Sequence, residues 1–174
     1  MKIEKVLNNN VIQALDNNVE YFVMGKGLGF QKKVGDLVDK EKIEKTFVLE
    51  NTEEVEEWSR AYVNLPDGEM QVFLNILTFA EAVLQTKFDP SFFIALADHL
   101  HYAIERNREG VSLQNPLAWE VRKFYPREYE IGKQALRLIA KDLEVQLSDD
   151  EAASVALHFV NAQKDAVSMK KTDR

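Results

Sequence analysis

The chain contains no cysteine. That excludes a disulfide framework, a thiolate metal site and a thiol nucleophile, and it allows a reducing compartment. No apolar run approaches the roughly 20 residues that span a bilayer, so no membrane insertion is expected. The opening Met1-Lys2-Ile3-Glu4-Lys5-Val6 lacks a long apolar stretch and a small-residue cleavage site, so no secretory leader is expected. No serine sits in a nucleophile-elbow motif, and there is no internal repeat or low-complexity tract. Excess positive charge is missing too. The formal net charge is −7, which argues against a wholly basic nucleic-acid binder.

What is present is 174 residues, 45% hydrophobic and 29% charged, as expected for one globular domain or two small ones. The charge is uneven. Residues 1–47 hold eight Lys and seven Asp or Glu, a balance of +1; the other 14 basic and 22 acidic residues leave −8 on the remainder. A near-neutral head with local lysines on an acidic body suggests a division of labour.

Residues 2–7, 11–15, 19–24, 28–33 and 43–49 are short runs rich in Val, Ile, Leu, Phe and Tyr. Asn8-Asn9-Asn10, Asp16-Asn17-Asn18, Gly25-Lys26-Gly27 and the loop from Gly35 to Lys42 separate them. Such spacing predicts an antiparallel meander. About fifty residues give a thin core, and dimerisation through a sheet face would bury more apolar area.

Four of the seven glycines lie between Val23 and Gly35, among Lys26, Phe30, Gln31, Lys32 and Lys33. A dinucleotide loop fits poorly, because Gly25-x-Gly27-x-Gly29 lacks the G-x-G-x-x-G spacing and the helix that should follow. Glycines of simple hairpin turns explain any one position but not the accompanying lysines, Phe30 and Gln31. RNA is the third reading. Glycines let the backbone approach a sugar-phosphate chain, lysines neutralise phosphates, Phe30 stacks on an unpaired base, and asparagine amides read base edges.

Lys5-x-x-Asn8-Asn9-Asn10-Val11, Met24-Gly25-Lys26-Gly27-Leu28-Gly29-Phe30-Gln31-Lys32-Lys33 and Ile43-Glu44-Lys45 together closely resemble the co-antiterminator domain of the BglG/SacY/LicT transcriptional antiterminators. In that family this small β-domain dimerises and clamps an RNA hairpin. The resemblance implies that Lys5, Asn8, Asn10, Gly25, Lys26, Gly27, Phe30, Gln31, Lys32 and Lys33 face RNA. Lys26 stands where many relatives carry Arg, and it lacks the planar fork of a bidentate contact.

From Asn51 the period changes to helical. Thr52 to Trp58 opens a charged helix that Leu65-Pro66-Asp67-Gly68 ends; Glu69 to about Thr86 then carries a broad apolar face. Asp89-Pro90 is a helix start, with Gly110 as terminator. Asn115-Pro116 repeats the start signal, and Pro126 breaks the segment that follows. A helix from Arg127 to Leu143 comes next. Ser148-Asp149-Asp150-Glu151 matches a capping box before a last helix expected to end near Lys164, with a loose tail from Val167 to Arg174. The body is thus expected to be a bundle of about five helices.

His99 and His101 share a helix but point about 200° apart at roughly 100° per residue, so they are no same-face metal pair. His101, beside Asp98 and Glu105, reads as a surface residue. His99 lies at the border of the apolar stripe with Arg106 two turns on, and His158 belongs to a polar file of Glu151, Ser154, Asn161 and Asp165. They could meet across a groove, but two unrelated hydrogen-bonded histidines are the better expectation. A metal site using Asp98 lacks ligand spacing.

Asp98-His99-Leu100-x-x-Ala103-Ile104-x-Arg106 and Asp150-Glu151-Ala152-x-x-x-Ala156-Leu157-His158-x-Val160-Asn161-Ala162 resemble the two histidine motifs of a PTS regulation domain. Asn115-Pro116-Leu117-x-Trp119-Glu120 and Tyr129-x-Ile131-Gly132 fit as well. The resemblance implies phosphorylation of His99 and His158, with the phosphocarrier protein HPr or the PTS sugar permease as donor. The implied whole is an α+β, cytoplasmic, homodimeric, non-enzymatic antiterminator of a sugar-utilisation operon, with no cofactor. Its expected parts are the RNA-binding domain (1–50), a linker helix (51–65), the first regulation domain (66–170) and a tail (171–174). Full-length relatives carry a second regulation domain, so a truncated chain is expected. The alternatives are a plain helical interaction module and a histidine-based metal-dependent enzyme.

Overall fold

The computed structural model describes residues 1–50 and 52–172. It divides into two compact units: Met1–Gln71 with Asp89–Ile94, and Val72–Phe88 with the chain from Ala95 onward.

The first unit is built on four antiparallel strands in the order β1 (Lys2–Asn8), β2 (Val11–Asp16), β3 (Val19–Met24) and β4 (Lys45–Val48). Asn17 and Asn18 both take positive φ, 51° and 65°. That is the conformation a two-residue hairpin turn demands, and asparagine tolerates it. Period-two alternation gives the sheet two apolar faces. Ile3, Ile12, Ala14 and Val23 pack with Leu28 and Val38 from the long loop. On the opposite face Phe22 meets Trp58 and Tyr62 of helix α1 (Thr52–Val63), with ring centroids 5.7 and 5.9 Å away. Tyr62 in turn stacks on Phe93. The sheet is therefore covered on both sides, and its core does not rest on the strands alone.

Residues 28–33 are not the strand that their composition predicts. They turn repeatedly: the Leu28, Phe30 and Lys32 amides donate to the Gly25, Gly27 and Gly29 carbonyls, and Gln31 sits at φ 56°. Gly27, at φ 70°, and Gln31 supply the left-handed turns, and Leu28 plugs the core.

The remaining helices are α2 (Asp67–Leu84), α3 (Pro90–Arg108), α4 (Ala118–Phe124), α5 (Pro126–Leu143) and α6 (Asp150–Thr172), making six among the described residues. Asp89 caps α3 as expected, its Oδ1 accepting the Phe92 amide at 2.9 Å. α4 starts at Ala118, later than Asn115-Pro116 suggests, because the Asn115 side chain first closes a turn onto the Leu117 amide at 2.9 Å. α6 continues past Lys164 to Thr172, where a loose tail is expected. The segment has no Gly or Pro, and Ala, Gln, Lys and Met are strong helix formers. Asn51 and the last two residues of the expected tail lie outside the described residues.

In the second unit α5 and α6 approach closely at Gly132, where a Cβ would overlap the Ala152 carbonyl. Val121 of α4 packs against Ala153 and Ala156 of α6. These contacts set the first turns of α6, which carry part of the candidate site.

Candidate functional site

Two constellations carry chemistry, one in each unit. In the first, the β1–β2 turn and the glycine loop are bonded into one structure. The Gly25 amide donates to the Asn10 carbonyl and the Gly29 amide to the Asn9 carbonyl, both at 2.9 Å. The Asn10 side-chain oxygen accepts the Gly27 amide at 3.1 Å. Asn8 Oδ1 accepts the Asn10 amide at 2.8 Å, and Asn8 Nδ2 donates to the Tyr62 carbonyl at 2.8 Å. Asn9 Nδ2 donates to the Asp67 carboxylate at 2.7 Å. Gly25 is buried because it lies against the Lys42 carbonyl, which any Cβ there would overlap.

This framework sorts the expected residues. Lys26, Phe30, Gln31 and Lys33 are exposed on a single segment, Phe30 at 54%. Gly27 and Lys32 are half-buried beside them. Asn10, expected to face outward, is instead fully buried, and with Gly25 it holds the loop from within. Lys5 is exposed but lies on the sheet face that α1 covers. There it pairs across from Gln13 and lines a cleft of about 460 Å³ with Ser59, Arg60 and Asn64. Asp67 and the Tyr62 carbonyl, which anchor the asparagine turn, carry no sequence signal: they are 54 to 58 residues away from it.

In the second unit His99 of α3 and His158 of α6 do meet, contrary to the expectation of two unrelated histidines: their ring centroids are 4.8 Å apart. His101 lies apart from the pair, edge-on to Tyr102. Glu151, in the first turn of α6, is the member that sequence reasoning assigns elsewhere. Its carboxylate does not close a capping box. Oε2 lies 3.0 Å from His99 Nε2 and Oε1 lies 3.5 Å from Arg106 Nη2. The tertiary partners offer two charge-assisted contacts in place of one local amide.

Burial pushes the Glu151 carboxyl up, but the hydrogen bond and charge of His99, with help from Arg106, outweigh it and hold the group below its ordinary 4.5. A carboxylate only accepts, so His99 Nε2 carries the proton of this bond. Burial, with the charge of His99 adding to it, lowers the His158 imidazole below its ordinary 6.5. His158 is thus a half-buried imidazole whose neutral form is favoured, and it makes no hydrogen bond to any described residue. A neutral imidazole nitrogen is a competent nucleophile toward phosphorus. Among the described residues no three His, Asp or Glu side chains are grouped to hold a metal ion, and no helix is long and apolar enough to cross a membrane.

Comparison with known proteins separates the same two parts. The CAT RNA binding domain matches residues 1–56, and the PRD domain matches residues 74–162. Transcription antiterminator LicT of Bacillus subtilis (strain 168) is 42% identical over 164 residues, which cover 94% of this chain and 59% of that protein. The beta-glucoside operon antiterminator of Dickeya chrysanthemi is 44% identical over 167 residues, covering 95% and 59%. The chain thus spans 59% of the length of each of these curated relatives. The crystal structure of GlcT CAT-PRDI is similar with a TM-score of 0.82 at 29% identity, over 92% of this chain and 96% of that one. The chain belongs to the family of proteins that join a CAT RNA binding domain to a PRD domain.

Proposed function

We propose that this chain is the RNA-binding and first regulatory portion of a transcription antiterminator of a sugar-utilisation operon. The observation that carries the reading is the bonded pair of turns at Asn8–Asn10 and Gly25–Gly29, which presents Lys26, Phe30, Gln31 and Lys33 outward together. Lysines there neutralise phosphates, Phe30 offers a face to an unpaired base, and Gln31 offers an amide to a base edge. Asn8, Asn10, Gly25 and Gly27 act by shaping the backbone that approaches the RNA. Lys5 and Lys32 add charge at the margin. The relatives' names say only that they are antiterminators; the target in this reading is an RNA hairpin whose capture prevents an overlapping terminator from forming.

His99 and His158 serve as phosphoryl acceptors from HPr or a PTS sugar permease. A phosphoryl group adds about −1.5 to −2 charges at a border between two helices, enough to change their packing. The protein is a cytoplasmic homodimer, a regulator and not an enzyme, and its dimer geometry sets whether two sheet domains grip one hairpin. The domains run 1–50, 51–65 as linker helix and from 66 to about 170, within the last turns of α6.

The test is binding of the full chain to a bulged RNA hairpin, wild type against Phe30→Ala and Lys26→Ala, at two salt concentrations. Phe30→Ala is expected to cost about 1–3 kcal/mol of affinity. Lys26→Ala is expected to weaken binding and to flatten its salt dependence. Binding indifferent to both substitutions would remove the reading.

A further inference from the structure

The proposed acceptor His99 does not stand open. Its Nε2 faces the Glu151 carboxylate at 3.0 Å, and that carboxylate's second oxygen faces Arg106 at 3.5 Å. Glu151 is buried, so it is not a casual surface contact. His99 and Arg106 lie seven residues apart on α3, on one face, while Glu151 comes from α6. One carboxylate thus holds a nitrogen and a cation that an incoming phosphoryl group would also need.

Resting on the histidine reading above, we propose that Glu151 is a positioning residue that guards Nε2 of His99, and that Arg106 is the cation that receives the phosphoryl group once Glu151 gives way. Two anions compete for one nitrogen. In the step itself, the Nε2 proton is lost to water while Nδ1 takes one up from water, so the imidazole stays neutral and Glu151 takes no proton. The freed Nε2 lone pair forms the bond to phosphorus. The donor's P–N bond breaks, and its nitrogen leaves with the electron pair and takes up a proton. The new phosphoryl oxygens then occupy the carboxylate's place and accept from the Arg106 guanidinium, a pairing that suits its planar fork. The tie from α6 to α3 through Glu151 is lost in the same event.

The two residues are therefore expected to act with opposite signs, which a purely structural role would not produce. The full chain is treated with phosphoramidate, a small donor that needs no docking surface, and phosphate at each histidine is followed by mass spectrometry. His101, on the same helix, is the internal reference. Glu151→Gln keeps the shape and removes the charge; it is expected to speed phosphorylation of His99 about fivefold relative to His101, a barrier change of roughly 1 kcal/mol. Arg106→Gln is expected to slow the reaction and to shorten the lifetime of the phosphohistidine by a similar factor. Phosphorus–nitrogen NMR is expected to place the group on Nε2.

Equal or parallel effects of the two variants would overturn the inference, as would phosphate on Nδ1 with Glu151 still in place. If His158 takes phosphate while His99 stays silent even in Glu151→Gln, this inference fails and the histidine reading survives. If neither takes phosphate in the folded protein, both fail.

Discussion

The loop site and the histidine site are built in opposite ways. In the first unit the framework is main chain: turns hold turns, one buried amide closes the loop, and the exposed side chains bear no structural duty. In the second unit the framework is side chain: four ionisable groups on two helices hold one another. The main-chain site is held without its exposed side chains and presents its chemistry outward. The side-chain site is poised, because any change of charge alters the contacts that hold it. A recognition surface needs the first property and a switch needs the second.

The sharpest way to break this contrast is to add one methyl group to each framework. Gly25→Ala forces a Cβ into the Lys42 carbonyl, and Gly132→Ala forces one into the Ala152 carbonyl. Each is expected to destabilise its own unit by about 1–3 kcal/mol or more, as measured by urea unfolding. Gly25→Ala is also expected to abolish hairpin binding, whereas Gly132→Ala is expected to leave it intact below the melting temperature. Hairpin binding lost equally in both variants would erase the distinction.

A smaller effect tests the amide. Asn10→Ala leaves the half-buried Gly27 amide without its acceptor, at a cost of about 1 kcal/mol. Hydrogen exchange is expected to show faster exchange at Gly27 with little change at α6. Unchanged protection at Gly27 would mean that the loop does not depend on this bond.

The smallest effect is a titration. His158 and Glu151 both bind protons more readily unfolded than folded, so both withdraw stability as the pH falls. The His158 contribution is present above 6.5 and is lost as pH drops through that value toward its folded pKa. The Glu151 contribution is present above 4.5 and is lost below it. The melting temperature is expected to decline from about pH 7 to about pH 5.5, and His158→Gln is expected to flatten that decline. A decline identical in wild type and variant would put its cause elsewhere in the chain.

Legibility follows the same division. The strands, the Asn17–Asn18 turn, the Asp89 cap and the bundle were readable because each rests on neighbours in sequence. Residues 28–33 misled because Leu28 and Phe30 give the run a strand-like composition, while the bond that curls the loop comes from Asn10, 17 residues upstream of Gly27. Glu151 misled for the same reason: a local rule offered it a partner three residues away, and the fold supplied one 52 residues away. Helical spacing marked His99 and His158 as border residues but could not say that the borders touch. Only the resemblance to a family proposed a shared role for them.

The exposed segment from Lys26 to Lys33 has one more implication, for how such proteins diversify. Its shape is set by carbonyls, amides and the buried Asn10, none of which depends on whether position 26 is lysine, position 30 phenylalanine or position 31 glutamine. Duplicated genes can therefore drift at these outward positions without unfolding the loop. Under the proposed RNA reading, new target preferences become reachable by single substitutions, each tested on a scaffold that has already folded.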